Sequence, residues 1–264
     1  MPKIAVSGKG GVGKTTLVSL LAYIYAERNR PVFAIDADPG ANLALALGFP
    51  RELSAGIVPI VEMEDLILER TGARPGEYGG YFKLNPRVDD IPDRFSAVHR
   101  GIHLLVMGSV KGPGAGCVCP ENVMLKSLTS HLILGEREVV LLDMVAGLEH
   151  LGRGTAAAVD TMIIVVEPGR RSIDIALQIA QLGEGLGIPR IEWVANKVRE
   201  QADLGFIQQA LGSKGILGWL DFSPEAIAAD QTGQAIYDLS PELVQKAREI
   251  VVHLNEHTDI QSVG

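Results

Sequence analysis

The stretch KIAVSGKGGVGKTT, residues 3–16, decides the fold of this 264-residue chain. A short apolar run of strand length leads directly into a glycine-rich loop, GKGGVGKTT at 8–16, which satisfies the pattern G-x-x-x-x-G-K-[ST]. The segment near 14–28 then continues with helical periodicity. A loop of this pattern between a strand and a helix is typical of a phosphate-binding site, so we favour nucleotide binding over a glycine turn that binds nothing.

The residue types in this loop fit the chemistry of a bound nucleotide. Its glycines let backbone N–H groups turn toward phosphate oxygens, and the start of the following helix adds a partial positive charge. Lys14 offers a positive charge to the β- and γ-phosphates, and Thr15 offers its hydroxyl to Mg²⁺. The residues that we expect to bind the nucleotide here are Gly10, Gly11, Val12, Gly13, Lys14, Thr15 and Thr16.

Apolar runs of strand length recur along the chain and alternate with helical segments. The predicted strands lie within 3–8, 31–38, 101–109, 138–144, 160–168, 191–197 and 215–221, and the predicted helices near 14–28, 121–134, 171–185, 200–211 and 241–255. This alternation predicts an α/β fold, a mostly parallel sheet with helices on both faces. The stretch 48–100 fits it poorly, and we interpret that stretch as an elaboration on one sheet edge of a single domain, 1–264.

Acidic residues stand where several predicted strands end, which is where open parallel sheets bind ligands. Asp36 and Asp38 close the second predicted strand before a Pro-Gly pair, which alone would indicate only a turn. Beside a phosphate loop, such carboxylates can hold Mg²⁺ through water or orient an attacking water. Asp143 follows four apolar strand residues and is a candidate second metal anchor, and Gly147 a candidate backbone N–H donor to the γ-phosphate.

The only two cysteines, Cys117 and Cys119, stand in GCVCPEN, residues 116–122, within a loop that we place at 112–120. Cys-x-Cys spacing offers two ligands, whereas a structural zinc site normally has four. Two chains together would supply four thiolates around one metal. A redox pair and two incidental cysteines are the alternatives. Thiolates suit Zn²⁺, Cu⁺ and Fe–S centres, and Ni²⁺ in a square-planar arrangement, so the spacing alone does not choose the metal.

Composition limits the partners. The net charge of −8 argues against a general affinity for nucleic acid or anionic lipid, because both need a basic surface. No apolar run reaches the roughly 18 residues of a membrane-spanning helix, and no secretory signal is visible. Two cysteines make no disulfide framework, so we expect a cytoplasmic protein.

The loop KGGVGKTT resembles the deviant Walker A motif of P-loop NTPases of the MinD, ParA and nitrogenase iron-protein class. With DADPGANL, FKLNPRVDDIPDRF, LLVMGS, GCVCPEN and EHLGRGT, nearly the whole chain resembles the CooC-type ATPases. These are nickel-insertion accessory proteins for carbon monoxide dehydrogenase and related acetyl-CoA synthase maturation factors. One position departs from the family pattern: Val145 stands where the family has an acidic residue, which leaves Asp143 and the cysteines unaffected.

The resemblance implies an ATP-driven metallochaperone. In the class, Lys9 would reach the nucleotide of a partner chain, Asp38 would position the attacking water, and Asn196 would hydrogen-bond adenine. ATP binding would form a homodimer in which Cys117 and Cys119 of both chains hold Ni²⁺ (or Zn²⁺). Hydrolysis of Mg-ATP would accompany delivery of the metal to a client nickel–iron–sulfur enzyme such as carbon monoxide dehydrogenase.

Three other functions within the class stay open. A spatial regulator like MinD or ParA needs a basic tail or face, and the C-terminal VVHLNEHTDIQSVG has no cluster of Lys or Arg. An electron-donating iron protein has its two cluster ligands far apart in sequence. An iron–sulfur scaffold ATPase of the Mrp type has Cys-x-x-Cys spacing.

Overall fold

The computed structural model describes residues 2–28, 30–38, 40–75, 81–108, 119–134, 139–145 and 159–261. Within those residues the strands are β1 Lys3–Gly8, β2 Val32–Ala37, β3 Ala97–His99, β4 Ile102–Val106, β5 Val139–Met144, β6 Thr161–Val166, β7 Ile191–Val198 and β8 Gly218–Asp221. Each of the seven predicted strands overlaps one of them, and β3 is the addition.

The longer helices connect the strands. The α-helices of the described part of the chain are α1 Lys14–Ala26, α2 Leu43–Ala46, α3 Arg51–Ala55, α4 Glu64–Thr71, α5 Ile91–Phe95, α6 Pro120–Leu134, α7 Arg170–Leu186, α8 Gln201–Leu211, α9 Pro224–Thr232, α10 Ile236–Leu239 and α11 Pro241–Gln261. Short 3₁₀ turns lie at Ile60–Glu62 and Gly212–Lys214. Among these helices none is both long and apolar enough to span a bilayer.

The strands form one sheet in the order β3-β4-β2-β5-β1-β6-β7-β8. Every neighbouring pair is parallel except β3 and β4, which pair antiparallel. The predicted α/β fold with a mostly parallel sheet is therefore confirmed. Because β1 lies between β5 and β6, the loop that follows β1 leaves the carboxyl edge at the middle of the sheet.

Helices cover both faces of the sheet, and each face has its own apolar core. Successive strand side chains point to opposite faces, so Ile4 and Val6 of β1 pack in the layer that α1 and α11 complete. Ala5, between them, packs in the opposite layer with residues of α4, α6, α7 and α8. Burial on both faces explains why β1, β2, β5 and β6 each contain a continuous apolar run, to which β1 and β6 add one polar residue at the amino end.

The short elements escaped prediction. Four of the helices, α2, α3, α5 and α10, have four or five residues, too few to show a helical period. Strand β3 has three residues, none fully buried, and lies at the outer edge of the sheet beside β4. The start of helix α9 could have been predicted from its Ser-Pro pair. Ser223 accepts a hydrogen bond from the backbone N–H of Ala226 as the N-cap, and Pro224 occupies the first turn.

Candidate functional site

The loop between β1 and α1 has a backbone that only glycine fits at one key position. Gly13 has φ of 98°, and a Cβ placed there would lie 2.0 Å from Nδ2 of Asn196. The loop is closed by a hydrogen bond from the Val12 N–H to the Lys9 carbonyl at 3.2 Å. Helix α1 then begins at Lys14 with no acidic residue in its first turn. Its first backbone N–H groups therefore face the loop as an anion-binding site.

A cleft of about 790 Å³ opens over this loop, a size that suits a small-molecule ligand. The predicted residues on its wall are Gly10, Gly11, Gly13, Lys14, Thr15, Thr16, Asp38 and Asn196. The end of β8 and the two residues after it also line the cleft, with Asp221, Phe222 and Ser223. None of these three residues was among the predicted contacts.

Thr15 and Asp143 are in contact at the N-terminal end of α1. The Thr15 hydroxyl donates a 2.6 Å hydrogen bond to Oδ2 of Asp143. Asp143 is 1% exposed, and this burial raises the pKa of its carboxyl to about 7 although the Thr15 bond lowers it. Its Oδ1 is buried and has no hydrogen-bond partner among the described residues. A hydroxyl beside an unsatisfied carboxylate oxygen is the hard oxygen ligand set that Mg²⁺ prefers, so these residues fit the predicted metal.

Asp36 and Asp38 have different roles in the geometry. Asp36 is fully buried and accepts hydrogen bonds from the backbone N–H groups of Asp38 at 3.1 Å and Leu43 at 2.9 Å. Burial raises the pKa of its carboxyl to about 6 in spite of those bonds. Asp38 lies on the cleft wall, where its Oδ1 accepts from Gly40 N–H at 2.9 Å and its Oδ2 lies 4.0 Å from Nζ of Lys14. Asp36 therefore shapes the turn, and Asp38 faces the ligand space.

Lys9 points to a residue that the sequence did not indicate. Its Nζ donates a 2.8 Å hydrogen bond to Oε1 of Glu167, just past the end of β6. The other oxygen, Oε2, accepts from Nζ of Lys197 at 2.9 Å, and the same amine bonds the Gly11 carbonyl at 2.6 Å. Burial alone would raise the pKa of Glu167, but the two lysines hold it below its ordinary value. No local pattern announces this pairing, because Lys9 and Glu167 are 158 positions apart.

Asn196 braces the phosphate loop. Its Nδ2 donates to the Val12 carbonyl at 2.7 Å, its Oδ1 accepts from the Lys197 N–H at 2.8 Å, and the residue is 6% exposed. One N–H and one lone pair of the amide remain for other partners. The predicted contact between Asn196 and adenine stays a prediction, and the brace is a second role beside it.

Two predicted site residues, Cys117 and Gly147, lie outside the described residues, as does EHLGRGT at 149–155. Cys119 is half-buried directly before α6, where its carbonyl accepts from the Val123 N–H at 3.0 Å. Helix α6 connects the end of β4 to the start of the parallel strand β5, so Cys119 lies at the carboxyl edge of the sheet, as the phosphate loop does. Within the described ranges no three His, Cys, Asp or Glu residues cluster as a metal site would require.

This fold and site define a class of protein. The family model of the CobQ/CobB/MinD/ParA nucleotide binding domain matches residues 3–236, so the chain belongs to that family. Among its relatives is the carbon monoxide dehydrogenase accessory protein CooC of Rhodospirillum rubrum, 48% identical over 254 residues, which are 96% of each chain. An uncharacterized ATP-binding protein of Methanocaldococcus jannaschii is 44% identical over 237 residues, 89% of this chain and 90% of that one. The resemblance to CooC-type ATPases is thereby confirmed.

Solved structures share the fold. The MinD cell division protein of Aquifex aeolicus superposes with a TM-score of 0.68 at 21% identity, covering 97% of this chain and 98% of that one. A putative plasmid partition protein of Borrelia burgdorferi bound to AMPPNP gives 0.70 at 16% identity, covering 97% and 100%. MinD of Pyrococcus horikoshii complexed with Mg-ADP gives 0.66 at 17%, covering 98% of both chains.

Proposed function

We propose that this chain is a Mg²⁺-dependent ATPase that inserts nickel into carbon monoxide dehydrogenase or a related nickel–iron–sulfur enzyme. The observation that carries the proposal is the 48% identity with CooC over 96% of both chains. The geometry supports its ATPase part, because Thr15 and the buried carboxylate of Asp143 meet where a nucleotide-bound magnesium ion would be held.

Residues of the phosphate loop would hold the nucleotide. The backbone N–H groups of 10–13 and the Nζ of Lys14 would bind the phosphates, and Thr15 and Asp143 would hold Mg²⁺. When bound, that ion supplies charge neutralisation on the transferred phosphoryl group. Asp38 would orient the attacking water, since it lies on the cleft wall near Lys14 with one oxygen turned to that amine.

The ATP-bound form would be a homodimer in which Lys9 acts on the nucleotide of the partner chain. The segment 143–150 would sense the γ-phosphate, with Gly147 as a backbone donor. Its start is tied to the central strand, because the Ser7 hydroxyl of β1 donates to the carbonyl of Val145 at 2.7 Å. A shift in the position of Asp143 would therefore be transmitted to the segment that follows it.

Nickel, or zinc, would be the cargo held by Cys117 and Cys119 of two chains. The start of a helix lowers the pKa of nearby thiols in general, and Cys119 directly precedes the 15-residue helix α6. The same helix leads to β5, which carries Asp143, so the metal loop and the nucleotide site are joined through one packed element. Opening of the dimer after hydrolysis would separate the two thiolate pairs and release the metal.

Metal content per chain tests the proposal directly. The protein is loaded anaerobically with Ni²⁺ or Zn²⁺, with and without a non-hydrolysable ATP analogue, and each gel-filtration peak is assayed for metal. We expect about one metal per two chains in a dimeric peak, on the basis of four thiolates per site. Absence of metal in every nucleotide state would refute the carrier function, and a brown, oxygen-sensitive chromophore would indicate an iron–sulfur protein instead.

Cysteine variants supply the matched control. Cys117→Ser combined with Cys119→Ser should remove the metal and leave nucleotide affinity within twofold or so, because neither cysteine belongs to the proposed phosphate site. Thr15→Ala should weaken Mg-nucleotide binding and, because the metal-holding dimer forms on ATP binding, should also lower the metal content although each chain keeps both thiols. Parallel loss of metal and nucleotide in the double cysteine variant would indicate misfolding and would count against separate sites.

A further inference from the structure

We infer that Glu167 is a positioning residue that holds Lys9 within its own chain, and that Lys9 must leave Glu167 before it acts on a partner. The inference rests on the proposed function for the role of Lys9 in the dimer. The ion pair between Glu167 and Lys9, called the hold below, lies within one chain and is argued from the geometry of that chain.

Only the side chain of Lys9 needs to move. The Lys9 carbonyl is fixed in the loop by the Val12 N–H at 3.2 Å, whereas its Nζ is held by one acceptor, Oε1 of Glu167 at 2.8 Å. The Lys9 side chain is itself 33% exposed. It can therefore rotate away from Glu167 into solvent and leave the loop backbone in place.

Glu167 is in turn held in position from two directions. Its backbone N–H donates to the Ser172 hydroxyl at 3.0 Å, which fixes the main chain at the start of α7. Its second oxygen accepts from Lys197, whose amine also bonds the Gly11 carbonyl at 2.6 Å. Lys197 has φ of 57°, a left-handed conformation that is uncommon for any residue but glycine. The amine of Lys197 is thus fixed between the loop and Glu167.

The arrangement is a competition for one ammonium group. Glu167 is 20% exposed and its carboxylate is shared between two lysines, so Lys9 is attracted to it but not locked. A triphosphate on a facing chain offers Lys9 more negative charge than a shared carboxylate does. Glu167 thus sets how much nucleotide is needed before Lys9 changes partners, and its removal should lower that amount.

Trace labelling of lysines tests the hold without nucleotide or dimer. The full chain is treated with limiting acetic anhydride, and Lys9 acetylation is measured by mass spectrometry relative to the exposed Lys126. Glu167→Gln keeps the shape and removes the charge, and should raise Lys9 labelling about threefold to fivefold, as expected for loss of one partly exposed ion pair. Glu192→Gln is the matched control, because Glu192 is 16% exposed and pairs with Arg190 at 2.8 Å away from the loop. Equal Lys9 labelling in wild type and Glu167→Gln would overturn the inference.

A second variant covers the case in which Glu167→Gln does not fold. Lys197→Gln leaves the Glu167 carboxylate to Lys9 alone, so Lys9 labelling should fall below that of wild type; an increase or no change would contradict the hold.

Self-association links the hold to the proposed function. In sedimentation velocity with a non-hydrolysable ATP analogue, Glu167→Gln should reach half-maximal dimer at about three- to fivefold lower analogue concentration than wild type, in line with one released ion pair. A residue that merely supports the fold would shift this midpoint upward or not at all, and either result would refute the positioning role. If wild type forms no dimer at any concentration, the dimeric function fails, while the labelling result still decides whether Glu167 holds Lys9.

Discussion

Replacing Gly13 by Ala should cost far more stability than the same change at Gly10 or Gly11 of the phosphate loop. Gly13 combines a φ of 98° with a Cβ position 2.0 Å from Nδ2 of Asn196. The left-handed conformation costs an L residue about 1–2 kcal/mol. The new methyl group must also push the Asn196 amide off the Val12 carbonyl, which it bonds at 2.7 Å. A buried carbonyl left without its partner costs about 1–3 kcal/mol more.

The sum is a loss of about 2–5 kcal/mol in the free energy of unfolding, or a fall in Tm of roughly 5–15 °C for a chain of this size. The assay is urea unfolding of the nucleotide-free chain, followed by circular dichroism. The same substitution at two other glycines of the loop separates the cost of the left-handed conformation from the cost of the clash with Asn196. Gly11 has φ of 75° and Gly10 no positive φ, and a Cβ at either would have no atom within 4 Å. Gly11→Ala should therefore cost about 1–2 kcal/mol and Gly10→Ala less than about 0.5 kcal/mol.

A double-mutant cycle isolates the clash. In an Asn196→Ala background, Gly13→Ala should cost only the conformational part, about 1–2 kcal/mol, so the two changes should couple by 1 kcal/mol or more. Gly13→Ala that costs no more than Gly11→Ala, or an additive cycle, would refute the brace between Asn196 and the loop.

Three further predictions concern the magnesium site and the strand beside it. Burial raises the pKa of Asp143 to about 7, so the folded chain loses stability relative to the unfolded chain as pH rises from about 4 to 7. Asp143→Asn should escape that loss and be more stable than wild type by up to about 4 kcal/mol at pH 8 in EDTA, with a smaller gain at pH 5; a pH-independent difference would contradict this. Thr15→Ala should weaken Mg-ATP binding at least about tenfold in calorimetry while ADP binding without Mg²⁺ changes little, because one charge-assisted oxygen contact is lost. Ser7→Ala should cost about 1 kcal/mol in urea unfolding and speed amide exchange around Val145, whose carbonyl loses its donor; unchanged exchange there would show that the bond does not restrain the segment.

What the sequence predicted well is local in the chain. Strand β1, the phosphate loop and the start of α1 are one continuous stretch, so the pattern at residues 8–16 contains its own structural context. The apolar strands were equally visible, because burial on both faces leaves them without polar alternation. The end positions of Asp38 and Asp143 then followed from the rule that parallel strands collect their carboxyl ends at one edge.

What escaped prediction depends on distant pairs. Asn196 and Val12 are 184 positions apart, and no pattern in either neighbourhood announces that one braces the other. Glu167 was missed for the same reason. In the sequence it stands in an ordinary Glu-Pro pair after a strand, and only the sheet order, with β6 beside β1, places it next to Lys9. The contribution of Asp221, Phe222 and Ser223 to the cleft depends on the position of β8 in the sheet, which the local sequence does not determine.

The outer strands of the sheet have a consequence for how copies of this chain can meet. Strand β3 has three residues and β8 has four, ending in an aspartate, so both borders present few unpaired backbone groups. Short edge strands offer another molecule few backbone groups for strand addition. They therefore disfavour the edge-to-edge pairing of sheets that leads to aggregates. The reversible pairing proposed above would then have to use a surface other than the sheet margins.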